Sequence, residues 1–304
     1  MEVNDVSNFQ SVTETRNANT LNIGTLDGPA IAALIAHEDA AVPQAVAKEA
    51  DNIGQAIELA AQRFKNGGRL IYIGAGTSGR LGALDAIELT PTYGVPASRA
   101  FGLLAGGQKA MYVAVEGAED SRTLAVDDLK EQRLTDADVV IAVAASGRTP
   151  YCLGALDYAN ELGALTISVT CNPDNPMQAS SQVAINPVVG PEVITGSTRM
   201  KAGSAQKMVL NSLSTGIMIK LGYVYENLMI NVQATNEKLV KRSIGILQQI
   251  LPLSMDQAQT LFETAHHNIA VGIIMHKKQL AYPAALALFE QNHGDINQIE
   301  GIYA

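Results

Sequence analysis

The chain has no tryptophan, only two cysteines, few aromatic residues and more acid than base. Each shortage excludes something. With 21 Lys and Arg against 30 Asp and Glu, and no long basic block, the sequence lacks the electrostatic footprint expected for nucleic-acid binding. No apolar run approaches the roughly 20 residues that a membrane-spanning helix needs. Cys152 and Cys171 sit in apolar surroundings without metal-ligand spacing, which predicts buried free thiols and a reducing compartment. The first residues, MEVNDVSNFQSVTETRN, are polar and acidic where a signal peptide would be basic and then apolar. The expectation is a cytoplasmic protein without membrane partners.

What is present points to a globular α/β chain. At 304 residues and 47% hydrophobic, it can bury a large core, as two domains or as one domain with an appendage. Abundant alanine and glycine predict close packing of helices on a sheet. Short β-rich runs occur at Leu70–Ile73, Ala100–Leu104, Val139–Ala144, Leu165–Thr170 and Val183–Ile185. Between them lie helical patterns at Arg80–Leu89, Ala118–Gln132 and Pro150–Leu162. Apolar strands alternating with helices predict a five-stranded parallel, doubly wound sheet of flavodoxin-like order.

The flanking segments are helical or irregular. Met1–Thr25 shows no period and reads as an extended arm or a solvated tail, although Thr13, Glu14, Arg16 and Asn17 can make specific hydrogen bonds. Helices are expected at Gly28–Glu38, Pro43–Lys65, Met200–Leu221 and Val232–Ile250. Ser254 with Gln257 forms a capping-box pattern opening a further helix, followed by helices near His267–Lys277 and Pro283–Asn292. The predicted division is an arm with helices over 1–58, a ligand-binding α/β domain over 59–222, a connecting helix over 223–252 and a three-helix domain over 253–304. His266 and His267 lack a ligand triad and read as surface or packing residues. Leu261, Phe262, Leu286 and Phe289 read as core.

The stretch Arg69–Gly94 organises the chain. It runs from strand through a glycine-rich loop bearing Thr77, Ser78 and Gly79 into a helix, the order that holds a phosphate on backbone N–H groups. Gly74, Gly76 and Gly79 fit a dinucleotide fingerprint only loosely, because no acid follows at the end of a second strand about 20 residues on. A second loop, Ala144–Pro150, follows another apolar strand and carries Ser146, Gly147, Arg148 and Thr149. A structural turn accounts for its Gly and Pro. It does not account for two hydroxyl-rich loops at strand ends of one sheet, which would form one phosphate pocket if they converge.

Both loops resemble those of the sugar isomerase (SIS) domain family, which binds phosphosugars. The longer strings GAGTSGRLGALDAIELTPTYG, VEGAEDS, AASGRTP, TGSTRMKAGSAQK and ATNEKL resemble, in order and over nearly the whole chain, the N-acetylmuramic acid 6-phosphate etherase family. The resemblance implies removal of the lactyl ether from N-acetylmuramic acid 6-phosphate, giving N-acetylglucosamine 6-phosphate and D-lactate. That chemistry opens the ring, removes the C2 proton activated by the C1 aldehyde, expels lactate from C3 and adds water. It requires an acid and a base, without a metal or other cofactor.

The resemblance also implies roles. Glu88 matches the acid that protonates departing lactate, Glu119 matches the second acid/base residue, working at C2, and Ser197 matches a contact to the sugar phosphate. Arg199 and Lys201 are cations near the same helix start, with surface salt bridges as the alternative. By residue context alone, Glu88 reads as a helix-end carboxylate paired with a base, and Glu119 as an acid in the first turn of a helix. Thr90 before Pro91 predicts that the helix stops there, leaving Glu88 in a last turn whose dipole favours the protonated acid. Ser78 and Glu88 stand about 15 Å apart along such a helix, farther than one sugar's phosphate and C3. Either the Ser146–Thr149 loop mainly holds the phosphate, or Glu88 acts in the neighbouring subunit's pocket, in a homodimer with active sites near the subunit interface. A longer, non-catalytic phosphosugar sensor resembling glucokinase regulatory protein is the alternative, and its counterpart segment does not keep the carboxylate found here as Glu88.

Overall fold

The computed structural model describes residues 11–232 and 236–303. The first ten residues of the expected arm, and Ala234 and Thr235 of the ATNEKL string, lie outside that range. The chain forms two compact units: one comprises residues up to Ile87 and Ser98–Ser214, the other Glu88–Ala97 and the residues from Thr215 onward.

In the first unit, residues 11–25 form three 3-10 turns, Val12–Glu14, Ala18–Thr20 and Ile23–Thr25. Thr13, Asn17 and Thr20 are buried, so this part of the arm is docked rather than solvated. Helix α1 (Gly28–Asp39) follows. The single helix expected over Pro43–Lys65 is two, α2 (Val42–Ala47) and α3 (Ala50–Lys65), because the chain tightens where Glu49 N–H bonds Val46 O.

The sheet follows the predicted runs: β1 (Leu70–Gly74), β2 (Ala100–Leu104), β3 (Val139–Val143), β4 (Leu165–Val169) and β5 (Val183–Ile185). All neighbours pair in parallel, in the order β2-β1-β3-β4-β5. β1, β3 and β4 are buried throughout, as expected of strands covered on both faces. Ile71, Ile73, Val140 and Ala142 pack with α5 (Arg122–Glu131) and α6 (Pro150–Leu162). α3 packs against β3, β4 and β5.

Small residues bring helices close, as the composition predicted. A Cβ on Gly102 of β2 would lie 2.5 Å from Ala83 Cα, and one on Gly154 of α6 would lie 2.3 Å from Arg122 O. The short α7 (Pro176–Ala179) precedes β5, and α8 (Lys201–Lys220) follows the sheet.

Other helix boundaries also differ from the sequence reading: the helix expected from Arg80 starts at Gly76, and the helix expected from Val232 starts at Glu237. α4 spans Gly76–Tyr93 and runs through Pro91, so Glu88 is not in the last turn. Proline removes one donor and disfavours the helix without forbidding it; here the helix closes later, where Gly94 at φ +69 donates to Thr90 O. The helix expected over Ala118–Gln132 is a 3-10 turn, Ala118–Asp120, then α5. Ser121 interrupts it by taking the Leu124 N–H on its side chain as N-cap. Glu119 therefore precedes the helix instead of sitting in its first turn.

In the second unit, a two-stranded antiparallel hairpin, β6 (Val224–Tyr225) and β7 (Leu228–Met229), leads to α9 (Glu237–Ile250), capped by Asn236. Then come α10 (Met255–Thr264), α11 (Ile269–Lys278) and α12 (Tyr282–Gln291). The Ser254–Gln257 capping box is present. Leu247, Phe262, Ile273 and Ala285 form its core, with Leu261, Leu286 and Phe289 packed around them. His266 and His267 adopt positive φ; His267 stacks on Phe262 and His266 packs at a tilt against Tyr282, which makes them packing residues.

Candidate active site

β1 ends at Gly74 and α4 begins at Gly76, so strand becomes helix across one residue. The turn depends on missing side chains: a Cβ on Gly79 would lie 2.4 Å from Gly74 O, and one on Gly74 would lie 2.8 Å from Val143 O. Gly79 N–H donates to Ala75 O at 3.1 Å, so the N–H groups of Gly76, Thr77 and Ser78 precede the first intrahelical bond of α4. N–H groups so placed at a helix start are suited to an anion. Thr77 and Ser78 are half-buried there, and Ser78 Oγ donates to Gln206 Oε1 at 2.9 Å.

The second loop leaves β3, the neighbour of β1 in the sheet, with Gly74 paired to Val143. This is the switch point of the doubly wound order, where the following helices depart to opposite faces. Gly147, at φ +68, lies so near Asn175 that a Cβ would meet Oδ1 at 2.3 Å. Arg148 N–H donates to Ser146 Oγ at 3.2 Å, and Thr149 takes the N-cap position of α6 without using its hydroxyl as a cap. The 3-10 turn carrying Glu119 packs against α6, and Glu119 is exposed. Burial, with a smaller push from the Glu119 charge, raises the Cys152 thiol on the first turns of α6 to about 12. Glu119 and the Ser146–Thr149 loop are thus neighbours at one end of α6.

A third turn carries Ser197. Gly196 has φ +75, and its Cβ position lies 3.2 Å from Glu14 Oε2, so the N-terminal segment borders this turn. That segment is also tied to the second loop: Asn172 Nδ2 donates to Ala145 O and to Thr13 Oγ1, while Asn172 Oδ1 accepts from Thr13 N–H. Thr77 reaches α8, which follows the Ser197 turn, its methyl 3.7 Å from the Cβ position of Gly203.

The start of α8 is occupied from within. Glu192, fully buried, accepts the N–H groups of Lys201 and Ala202, both at 2.9 Å. Lys201 is not a surface cation: its Nζ meets Glu38 Oε2 at 3.0 Å with both side chains buried. Burial opposes the Glu38 charge, but hydrogen bonds from Asn19, Asn17 and Lys201 outweigh it and hold the carboxyl near 2.

The structure therefore brings Thr77, Ser78, Gly79, the Ser146–Thr149 loop, Glu119 and the Ser197 turn to the carboxyl end of one sheet. Glu88, exposed on α4, belongs to the second unit. Sequence reasoning missed Gln206, Glu192, Asn172 and Glu38. Glu192 is an isolated acid in an apolar context, GPEVI, the only signal that could have drawn attention to it; Glu38, between His37 and Asp39, carries none.

A five-stranded parallel sheet with paired hydroxyl-bearing loops at its switch point defines a SIS-domain protein. The SIS domain model matches residues 113–215, and the glucokinase regulatory protein N-terminal SIS domain model matches residues 52–160. The chain belongs to the N-acetylmuramic acid 6-phosphate etherase family. It is 55% identical, over 94% of its length and 96% of the relative's, to N-acetylmuramic acid 6-phosphate etherase 1 of Enterococcus faecalis. It is 51% identical to the etherase of Lactobacillus gasseri, over 94% of this chain and 97% of that one. N-acetylmuramic acid 6-phosphate etherase 2 of Vibrio cholerae is 48% identical, over 93% of this chain and 92% of that protein.

Proposed function

We propose that this protein cleaves the lactyl ether of N-acetylmuramic acid 6-phosphate, releasing D-lactate and N-acetylglucosamine 6-phosphate. Family membership across nearly the full length carries this reading, and the two hydroxyl-bearing loops at adjacent strand ends suit its phosphosugar substrate. In the proposed mechanism the α4 start and the Ser146–Thr149 loop hold the phosphate, with Ser197 contributing from the third turn. In the open-chain sugar, the C1 aldehyde acidifies the C2 proton, which Glu119 removes. The electron pair left at C2 expels lactate from C3 while Glu88 protonates the departing oxygen. Water then adds at C3 of the unsaturated aldehyde and a proton returns to C2. The elimination and hydration sum to ether hydrolysis, and each uses a carboxyl as acid or base.

Ten residues of continuous helix separate Ser78 from Glu88, about 15 Å of rise. For that reason the reading includes a homodimer in which Glu88 serves the neighbouring subunit's pocket. Mixed dimers of Glu88→Ala and Glu119→Ala chains should regain activity; demonstrated mixed dimers that stay inactive would remove active-site sharing. The reading also places the protein in the cytoplasm, consistent with its buried free thiols Cys152 and Cys171.

The match to the glucokinase regulatory protein domain favours one second reading, a phosphosugar sensor without catalysis. A coupled lactate assay on N-acetylmuramic acid 6-phosphate separates the two. Lactate is the expected result, and its absence from folded protein that binds the phosphosugar would favour the sensor.

A further inference from the structure

Gln206 is a fully buried amide on α8 whose Oε1 accepts the Ser78 hydroxyl proton at 2.9 Å. Its Nε2 is also buried and has no hydrogen-bond partner among the described residues. A buried NH2 left unpaired is costly and uncommon. Among the described residues its polar partner is Ser78, at the start of α4.

A serine hydroxyl has one proton to give. With that proton on Gln206, Ser78 can only accept, and a phosphate dianion, which offers only acceptors, gains nothing from it. A carboxamide turned over about its last side-chain bond places Nε2 where Oε1 stood. Nε2 then donates to Ser78 Oγ, and the hydroxyl is released to donate outward. The amide keeps its bond to Ser78 in both orientations, but the turned one leaves the hydroxyl proton without an acceptor unless an anion takes it. An arriving phosphate therefore selects the turned amide.

We infer that Gln206 is the positioning residue that sets the direction of the Ser78 hydroxyl, its amide turning over as the phosphate of a sugar phosphate arrives so that Ser78 donates to it. This rests on the phosphosugar reading above. It also explains why an amide suits the position: a carboxylate can only accept, so it would hold the Ser78 proton inward and add a negative charge behind the phosphate.

The test is calorimetric titration of folded protein with N-acetylglucosamine 6-phosphate, together with steady-state kinetics. Gln206→Glu should weaken binding by about 10- to 100-fold, the range for one hydrogen bond to a charged group, and should raise KM more than it lowers kcat. Gln206→Met, of similar volume, should weaken binding in an otherwise wild-type chain but add nothing in a Ser78→Ala background. Unchanged binding by Gln206→Glu, or fully additive losses in the double variant, would overturn the relay. A neutron crystal structure of the wild type with bound product needs no variant: amide nitrogen facing Ser78 is expected, and oxygen there with phosphate bound would overturn it. Wild-type protein that binds no N-acetylglucosamine 6-phosphate overturns the phosphosugar reading and the relay together. Wild-type binding with indifferent variants overturns the relay alone.

Discussion

Lys201 Nζ lies 3.0 Å from Glu38 Oε2, with 3% and 8% of the two side chains exposed. The pair joins the first turn of α8 to the end of α1, and Asn17 and Asn19 of the N-terminal segment donate to the same carboxylate at 2.6 and 2.9 Å. One buried acid thus ties three segments together.

Removing one partner of a buried ion pair strands the other charge. Lys201→Met should lower stability by about 3–5 kcal/mol, read as a fall in the urea midpoint at unchanged slope. A change within experimental scatter would mean that the two asparagines satisfy Glu38 without the lysine.

The same carboxyl predicts an acid transition. Glu38 titrates near 2 in the folded protein, below its ordinary value of 4.5, so the unfolded chain binds its proton more readily between those pH values. Its stabilising contribution is therefore complete above about 4.5 and disappears as pH falls towards 2. The stability difference between wild type and Glu38→Gln should shrink across that window in denaturant melts. A difference independent of pH from 6 to about 2 would contradict the linkage.

Glycine at 79 is a requirement of the turn between β1 and α4. Gly79→Ala places a methyl 2.4 Å from Gly74 O, where backbone must move, and should destabilise by about 1–3 kcal/mol while raising KM. Gly54→Ala in α3, with nothing within 4 Å of its Cβ position, is the control. It should be neutral or slightly stabilising, by about 0.4–1 kcal/mol. Equal effects at the two positions would sink the steric account.

The two carboxylates should separate by isotope exchange. Glu88→Ala is expected to lose lactate release yet retain solvent-deuterium exchange at C2 of N-acetylglucosamine 6-phosphate, followed by NMR. Glu119→Ala should lose both. A Glu88 variant that stops exchange while still releasing lactate would reverse the assignment.

Much of this architecture was legible because it is local. The apolar runs at Leu70 and Val139 have no polar position to turn towards water, so they declare strands buried on both faces, and the helices between them force parallel pairing. Gly74, Gly76 and Gly79 announce a tight turn because glycine accepts positive φ and close backbone approach at no steric cost. The boundaries near Pro91 and Ser121 were less legible. A proline only disfavours a helix, and a serine can lie within one or cap one; which occurs depends on the surrounding structure.

By itself, the sequence determined the five-stranded parallel sheet, the two hydroxyl-bearing loops, the capping box at Ser254 and, through long ordered motifs, the family. Periodicity and turn chemistry act over a few residues and need no tertiary partner. Only the tertiary structure decided that Lys201 is buried against Glu38, that Glu192 rather than a ligand occupies the start of α8, and that Ser78 meets Gln206 across 128 positions of chain. Such pairs carry no local signal, because their chemistry depends on which buried groups the fold brings within hydrogen-bonding distance.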